Sequence, residues 1–240
     1  MAKPELAGQA RTMQAMERII AAKGIRLAPA LDEGDHSGPG VPAWHREVRA
    51  SSALSRWRTA VPPRFQGAQA TIPEVVAWAD KALTEPGTAG GLLLTGLTGT
   101  GKTYQGYGAL RRIAAGGPDR YELVAMNSAD MYGHLRPTQE VGATEDRLRR
   151  LSQVQFLLLD DLGTTKVTEW TEEITYRLIN HRYNHCLPTI ITSNLPARDD
   201  TGGPDLTDFV GDRVASRLAE MVTTLVPMIG ADRRRGRGVA

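Results

Sequence analysis

Eight residues near the middle of the chain, Gly96-Leu97-Thr98-Gly99-Thr100-Gly101-Lys102-Thr103, have the spacing G-x-x-x-x-G-K-[ST]. Glycines at these positions let the backbone curl until successive N–H groups point at one anion. A helix opening near Lys102 adds the positive end of its dipole. Lys102 is then placed to reach the outer phosphates of a polyphosphate, and the Thr103 hydroxyl is a hard oxygen ligand for Mg²⁺. The expected nucleotide-binding set is these eight residues together with Tyr104.

A second group supplies what such a loop requires. Phe156-Leu157-Leu158-Leu159 runs directly into Asp160-Asp161. Asp160 is expected to hold the metal through its water shell, and Asp161 to orient or deprotonate an attacking water. Asp160-x-x-Gly163 also fits the D-x-x-G of GTPases, but the guanine-reading N/T-K-x-D motif does not occur in the chain. Adenine is therefore the expected base, and Mg-ATP the expected ligand. Thr189-Ile190-Ile191-Thr192-Ser193-Asn194 ends another apolar run on a polar residue, which would lie beside the γ-phosphate.

These residues need a scaffold that brings distant strand ends together. Five short apolar runs occur at residues 91–95, 122–126, 154–159, 189–192 and 224–228, separated by helical stretches such as 102–115 and 169–183. In the latter, Trp170, Ile174 and Leu178 recur on one face. Continuous apolar strands alternating with helices predict an α/β fold whose parallel sheet is covered on both faces. Upstream, Met13, Met16 and Ile20 stand at helical spacing before Gly24, and residues 27–43 read as a Pro/Gly/Asp-rich linker. The basic stretch with Arg46, Arg49, Arg56, Arg58, Arg64, Trp44 and Trp57 reads as a solvated, partly packed linker, with a helicase- or DNA-binding role as the alternative. Pro62-Pro63 marks a boundary, and Thr71 with Glu74 has the form of a capping box.

Composition bounds the rest. With 240 residues, 41% hydrophobic content and a formal net charge of +2, the chain suits one well-buried core and is no bulk polyanion binder. Cys186 is the single cysteine, which excludes an internal disulfide or thiolate cluster and fits a reducing cytosol. No apolar run approaches the roughly 20 residues that span a bilayer, and the N-terminus lacks a signal-peptide core. A cytoplasmic address with no membrane partner is expected. His181 and His185 stand four apart but lack an evident third ligand, so they read as ordinary helix histidines.

Taken with Asp212-Arg213-Val214-Ala215-Ser216-Arg217-Leu218 and Pro62-Pro63-Arg64-Phe65, these motifs give a chain that resembles the DnaC/IstB-type AAA+ ATPases, bacterial helicase loaders and transposition helpers. The resemblance covers residues 60–235 and is carried by LLLTGLTGTGKT, FLLLDDLG, INHRY, PTIITSNL and VASRL. It implies a P-loop AAA+ core with strand order 5-1-4-3-2. It makes Asn194 the sensor that reads the γ-phosphate, and Arg217 the arginine finger acting on a neighbour's ATP, with Arg213 as runner-up. It further implies an ATP-dependent homo-oligomer, single-stranded or duplex DNA, and a replicative helicase or a transposase as partners. Ser128 to Arg136 and Arg147-Leu148-Arg149-Arg150 look like the helices that face single-stranded DNA in relatives, with Tyr132 able to stack on a base. The expected domains are 1–60, a partner-binding helix and linker; 61–235, the ATPase core; and 236–240, a flexible tail. Only twelve residues follow Met228, so no C-terminal lid is expected, although Arg233 or Arg234 could reach the nucleotide. A small-molecule kinase, the competing enzyme class, would need an arginine-bearing lid over an acceptor pocket, and no clear segment offers one.

Overall fold

A computed structural model describes residues 42–137, 142–165, 167–199, 201–230 and 232. The expected helix near Met13, residues 27–41 of the linker, Arg233, Arg234 and the 236–240 tail lie outside the described residues. The elements run α1 (Pro42–Ala60), a single 3-10 turn (Pro63–Phe65), α2 (Pro73–Thr84), α3 (Pro86–Ala89), β1 (Gly91–Thr95), α4 (Lys102–Ala115), β2 (Leu123–Asn127), α5 (Ser128–His134) and α6 (Ala143–Gln153). They continue with β3 (Phe156–Asp160), α7 (Glu169–Asn184), β4 (Thr189–Ser193), α8 (Leu206–Val210), α9 (Asp212–Met221) and β5 (Val222–Pro227).

The strands form one five-stranded sheet in the order β2-β3-β4-β1-β5, with every pairing parallel. This is the order that the family resemblance implies, read from the other edge. Side chains alternate across the sheet, so each strand feeds two cores. Leu92, Leu94, Leu158 and Ile190 pack with Leu110 and Ile113 of α4 and Trp78 of α2. Leu93, Leu157, Leu159 and Ile191 pack with Ile174 and Leu178 of α7 and Leu218 of α9. Burial on both sides explains why the strands read as unbroken apolar runs.

Two local expectations change. Thr71 does not cap α2; the N-cap is Ile72 and makes no side-chain cap bond. Pro73 presets the first helical φ. The free amides of Thr71 and Ile72 instead donate to Gln105 Oε1 at 2.9 and 3.3 Å, while Gln105 Nε2 donates to Thr71 Oγ1. The basic stretch, expected as a solvated, partly packed linker, is helical over residues 42–60, and Trp57 is buried, donating from Nε1 to the Tyr107 carbonyl at 3.2 Å. Arg49 and Arg56, on the same helix, donate to the carbonyls of Gly117 and Tyr121.

At the N-terminal ends of β3 and β4 sits a fully buried guanidinium. Arg182, on α7, donates to Thr189 Oγ1 (2.8 Å) and to the carbonyls of Ser152, Val154, Gln155 and Pro188. Burial pushes its pKa down to about 9, so it stays charged at neutral pH. Val154 and Gln155, expected within the third strand, are engaged by this clamp, and β3 begins at Phe156. Replacing Arg182 with Met should leave buried carbonyls unpaired and cost roughly 3–5 kcal/mol of unfolding free energy. Arg182→Lys should recover little, because an ammonium has three donors and no fork. Urea titration of the variants tests this; a loss under about 1 kcal/mol for Arg182→Met would show that the clamp is dispensable.

Candidate functional site

The loop between β1 and α4 owes its shape to close backbone approach as much as to flexibility. Gly96 has φ 130°, and a Cβ there would lie 2.2 Å from the Met228 carbonyl oxygen, just past β5. Gly99 has φ 87°, and a Cβ would fall 1.9 Å from a carboxylate oxygen of Asp232. Only glycine fits either position. The chain then enters α4 at Lys102, a residue that is 4% exposed. Its Nζ donates to the carbonyls of Gly96 (2.7 Å) and Leu97 (2.9 Å) and to Asn194 Oδ1 (2.8 Å).

One helical residue further on, Thr103 Oγ1 donates to Asp160 Oδ1 at 2.8 Å. Asp160 ends β3 and is half-buried. Burial raises its pKa, as does the charge of Asp161, while hydrogen bonds from Thr192 and Thr103 and the charge of Lys102 oppose the rise. A hydroxyl and a carboxylate in contact at the foot of a phosphate loop are the hard oxygen donors that Mg²⁺ takes alongside retained waters, so these residues fit the ion.

Asp161 adopts φ 54°, a left-handed conformation that costs a non-glycine residue roughly 1–2 kcal/mol, although Asp tolerates it better than most. Its carboxylate Oδ1 accepts from Asn194 Nδ2 at 3.2 Å. Asn194 follows β4 and therefore touches both Lys102 and Asp161. Lys102, Thr103, Asp160, Asp161 and Asn194, drawn from widely separated stretches of sequence, meet at the C-terminal ends of β1, β3 and β4. Open α/β sheets place ligands at that edge.

A cleft of about 520 Å³ lies over this group, lined by Thr98, Gly99, Gly101, Lys102, Thr103, Tyr104, Asp161 and Asn194. Tyr104 is tied to the wall through its hydroxyl, which donates to the Gly67 carbonyl at 2.6 Å. Leu97 stands at the loop tip, 73% exposed, and Thr100 is buried with its hydroxyl on the Leu97 carbonyl. Arg64 and Phe65 also line the cleft. In the sequence they stand out only as part of a Pro-Pro-Arg-Phe string. Phe65 stacks on Tyr107 of α4 at 4.8 Å between centroids, which fixes its ring as a wall.

Other residues singled out in the sequence lie elsewhere. Arg217 pairs with Glu220 at 2.7 Å and sits 4.8 Å over the Tyr183 ring, while Arg213 sits 4.3 Å over Tyr176. Neither lines the cleft of its own chain. Tyr132 is not presented for base stacking: it is partly buried, its hydroxyl lies 2.7 Å from Thr175 Oγ1, and its ring packs edge-on to Trp170. His181 and His185 stack at 4.0 Å, and burial lowers the His181 pKa, helped by the charges of His185 and Arg182. Among the described residues, no helix is long and apolar enough to cross a membrane.

Comparison with known proteins gives a consistent picture. The model of the IstB-like ATP-binding protein family matches residues 80–224. The replicative helicase loader DnaI of Bacillus subtilis is 27% identical over 115 residues, 48% of this chain and 36% of that protein. An insertion-sequence ATP-binding protein of Geobacillus stearothermophilus is 29% identical over 104 residues, 43% of this chain and 39% of that protein. The matched stretches thus span well under half of either relative. Among solved structures, the DnaC helicase loader covers 70% of this chain and all of its own at TM-score 0.57 and 22% identity. DnaI covers 75% of this chain and all of its own at TM-score 0.57 and 21% identity, so the fold is shared.

Lys102→Ala is expected to abolish measurable binding of a fluorescent ATP analogue. Phe65→Ala should weaken it about tenfold by removing an aromatic wall. Unchanged affinity in the Phe65 variant would take that ring out of the site.

Proposed function

The chain belongs to the family of IstB-like ATP-binding proteins and is an AAA+ ATPase of the DnaC/IstB type; we propose that it hydrolyses Mg-ATP to load a replicative helicase onto single-stranded DNA. The observation that carries the enzymatic part is the contact of Asn194 with both Lys102 and Asp161 beside the Thr103–Asp160 pair. The similarity to a helicase loader supports the choice of partner.

In this reading the loop amides and Lys102 hold the phosphates, and Thr103 with Asp160 holds Mg²⁺. When bound, the ion supplies positive charge across the outer phosphates. Asp161 accepts the proton of the attacking water or orients it, and Asn194 keeps Asp161 and Lys102 in register with the γ-phosphate. Arg217, which does not line its own cleft, acts on the nucleotide of a neighbouring copy, with Arg213 as the second candidate. Hydrolysis therefore follows assembly. The exposed Arg136 and Arg150 on the α5–α6 side offer phosphate contacts to DNA. Residues 1–60, including the exposed face of α1, carry partner recognition in this scheme.

A transposition helper that grips duplex DNA and a transposase is the second reading, favoured by the 29% identity to an insertion-sequence protein. ATPase assays with single-stranded DNA, duplex DNA and no DNA discriminate the two: stimulation by single strands is expected, and stimulation confined to duplex would favour the helper. Asp161→Asn should bind ATP normally and turn it over at least about a hundredfold more slowly. Arg217→Ala should bind ATP normally and lose only the concentration-dependent part of hydrolysis; an equal loss in dilute monomer would refute action across an interface.

A further inference from the structure

Thr192 lies near the end of β4, is fully buried, and has no part in the roles assigned above. Backbone pairing between β3 and β4 runs from Leu157↔Thr189 to Leu159↔Ile191 and then stops. The next three residues, Asp160 to Leu162, are the ones whose placement the chemistry needs. All three are fastened to Thr192. Its hydroxyl donates to Asp160 Oδ1 at 2.6 Å and accepts from the Asp161 N–H at 2.9 Å, and its carbonyl accepts from the Leu162 N–H at 2.8 Å.

The proton assignment follows from the partners. An ionised carboxylate only accepts, so the one hydroxyl hydrogen points at Asp160 and a lone pair remains for the Asp161 amide. That amide belongs to the residue at φ 54°. The side-chain acceptor replaces the sheet partner that an extended residue would have had, and it holds the backbone in the turn that carries the Asp161 carboxylate to Asn194. The same hydroxyl and Thr103 converge on one oxygen of Asp160 and set the orientation of that carboxylate. The Lys102 ammonium donates to Gly96, Leu97 and Asn194.

We propose that Thr192 is a positioning residue for ATP hydrolysis, fixing Asp161 in its turn and Asp160 against Thr103, and that it governs turnover with little effect on nucleotide capture. The inference rests on the reading of Asp160 and Asp161 as the metal- and water-handling pair.

The test compares Thr192→Val, which keeps the branched shape without the hydroxyl, with Thr192→Ser, which keeps the hydroxyl. In the nucleotide-free chain, hydrogen exchange of the peptide covering residues 160–163 should accelerate in the Val variant and stay near wild type in Ser. Affinity for a fluorescent ATP analogue in EDTA should remain within about twofold for both. In steady state the Val variant should lose about tenfold or more in kcat with KM for ATP little changed, and Ser should recover most of the loss. Wild-type turnover in Thr192→Val, or equal loss in Val and Ser, would overturn the proposal. So would a fall in EDTA affinity matching the fall in kcat. Should the Val variant unfold, Thr192→Ala replaces it in the same comparison with Ser. Asp161→Asn serves as the control for the underlying reading. Normal hydrolysis there removes the premise, whereas an inactive Asp161→Asn beside an active Thr192→Val overturns only the role of Thr192.

Discussion

One oxygen atom of Asp160 sets the terms for the rest of the site. It belongs to a half-buried residue, it accepts from Thr103 on α4 and from Thr192 on β4, and it sits at the end of β3. A carboxylate in that environment is tolerated only while its donors stay in place. Those donors come from elements far apart in sequence, so the position of one oxygen requires that β4 lie beside β3 and that α4 start above their common edge. The strand order β2-β3-β4-β1-β5 meets that requirement by placing β4 between β1, which feeds the phosphate loop, and β3. Short apolar strands buried on both faces hold that order, because a shift of one residue would exchange Leu92 and Leu94 with Leu93 between the two cores.

The opposite edge of the sheet is secured by different chemistry. Arg182 gathers carbonyls from the segment before β3 and from Pro188 before β4. A guanidinium fits that task because its donors fan out in one plane and can satisfy several carbonyls at once. The two ends therefore divide the labour. Arg182 registers β3 against β4 at one end, and at the other the Thr192 hydroxyl ties β4, and the Thr103 hydroxyl ties α4, to the end of β3 where the nucleotide cleft opens. Hydroxyls are the suitable fastening there, since each can rotate its one hydrogen as the charge around Asp160 changes.

Much of this arrangement is legible in the amino-acid sequence. Gly96 to Thr103, Asp160-Asp161 and Asn194 each end or follow an apolar run, and a parallel sheet brings such ends together without further information. The sheet itself follows from short, mostly apolar runs that alternate with helical stretches. The contacts that local patterns do not report are those set by tertiary packing. Trp57 sits in a helix whose flanking arginines make the segment look solvated, yet those arginines reach backbone carbonyls and leave the indole buried. The Thr71–Glu74 spacing has the form of a cap, but Gln105, more than thirty residues away, takes over the amides that a cap would serve. Phe65 becomes a wall of the cleft only through its stack on Tyr107. Thr192 reads as one more strand residue, and its task emerges only because the pairing of β3 and β4 ends just before it. In each case the deciding partner is distant in sequence.

The geometry also bears on where partner choice can reside. On the proposed function, the loop, the aspartates, Asn194 and Thr192 would handle only phosphate, metal and water, which helicase loading and transposition would require alike. The α5–α6 layer reaches that group through Ser128, whose hydroxyl donates to the Asp161 carbonyl at 2.8 Å. That bond joins the first residue of α5 to the turn that carries the Asp161 carboxylate. On the proposed function, nucleic acid resting on Arg136 or Arg150 would load the same helical layer, and α5 would be a short physical route between that contact and Asp161. On the proposed function, stimulation by DNA would then act through the backbone of Asp161, while the identity of the protein partner would be read by α1 and the residues before it.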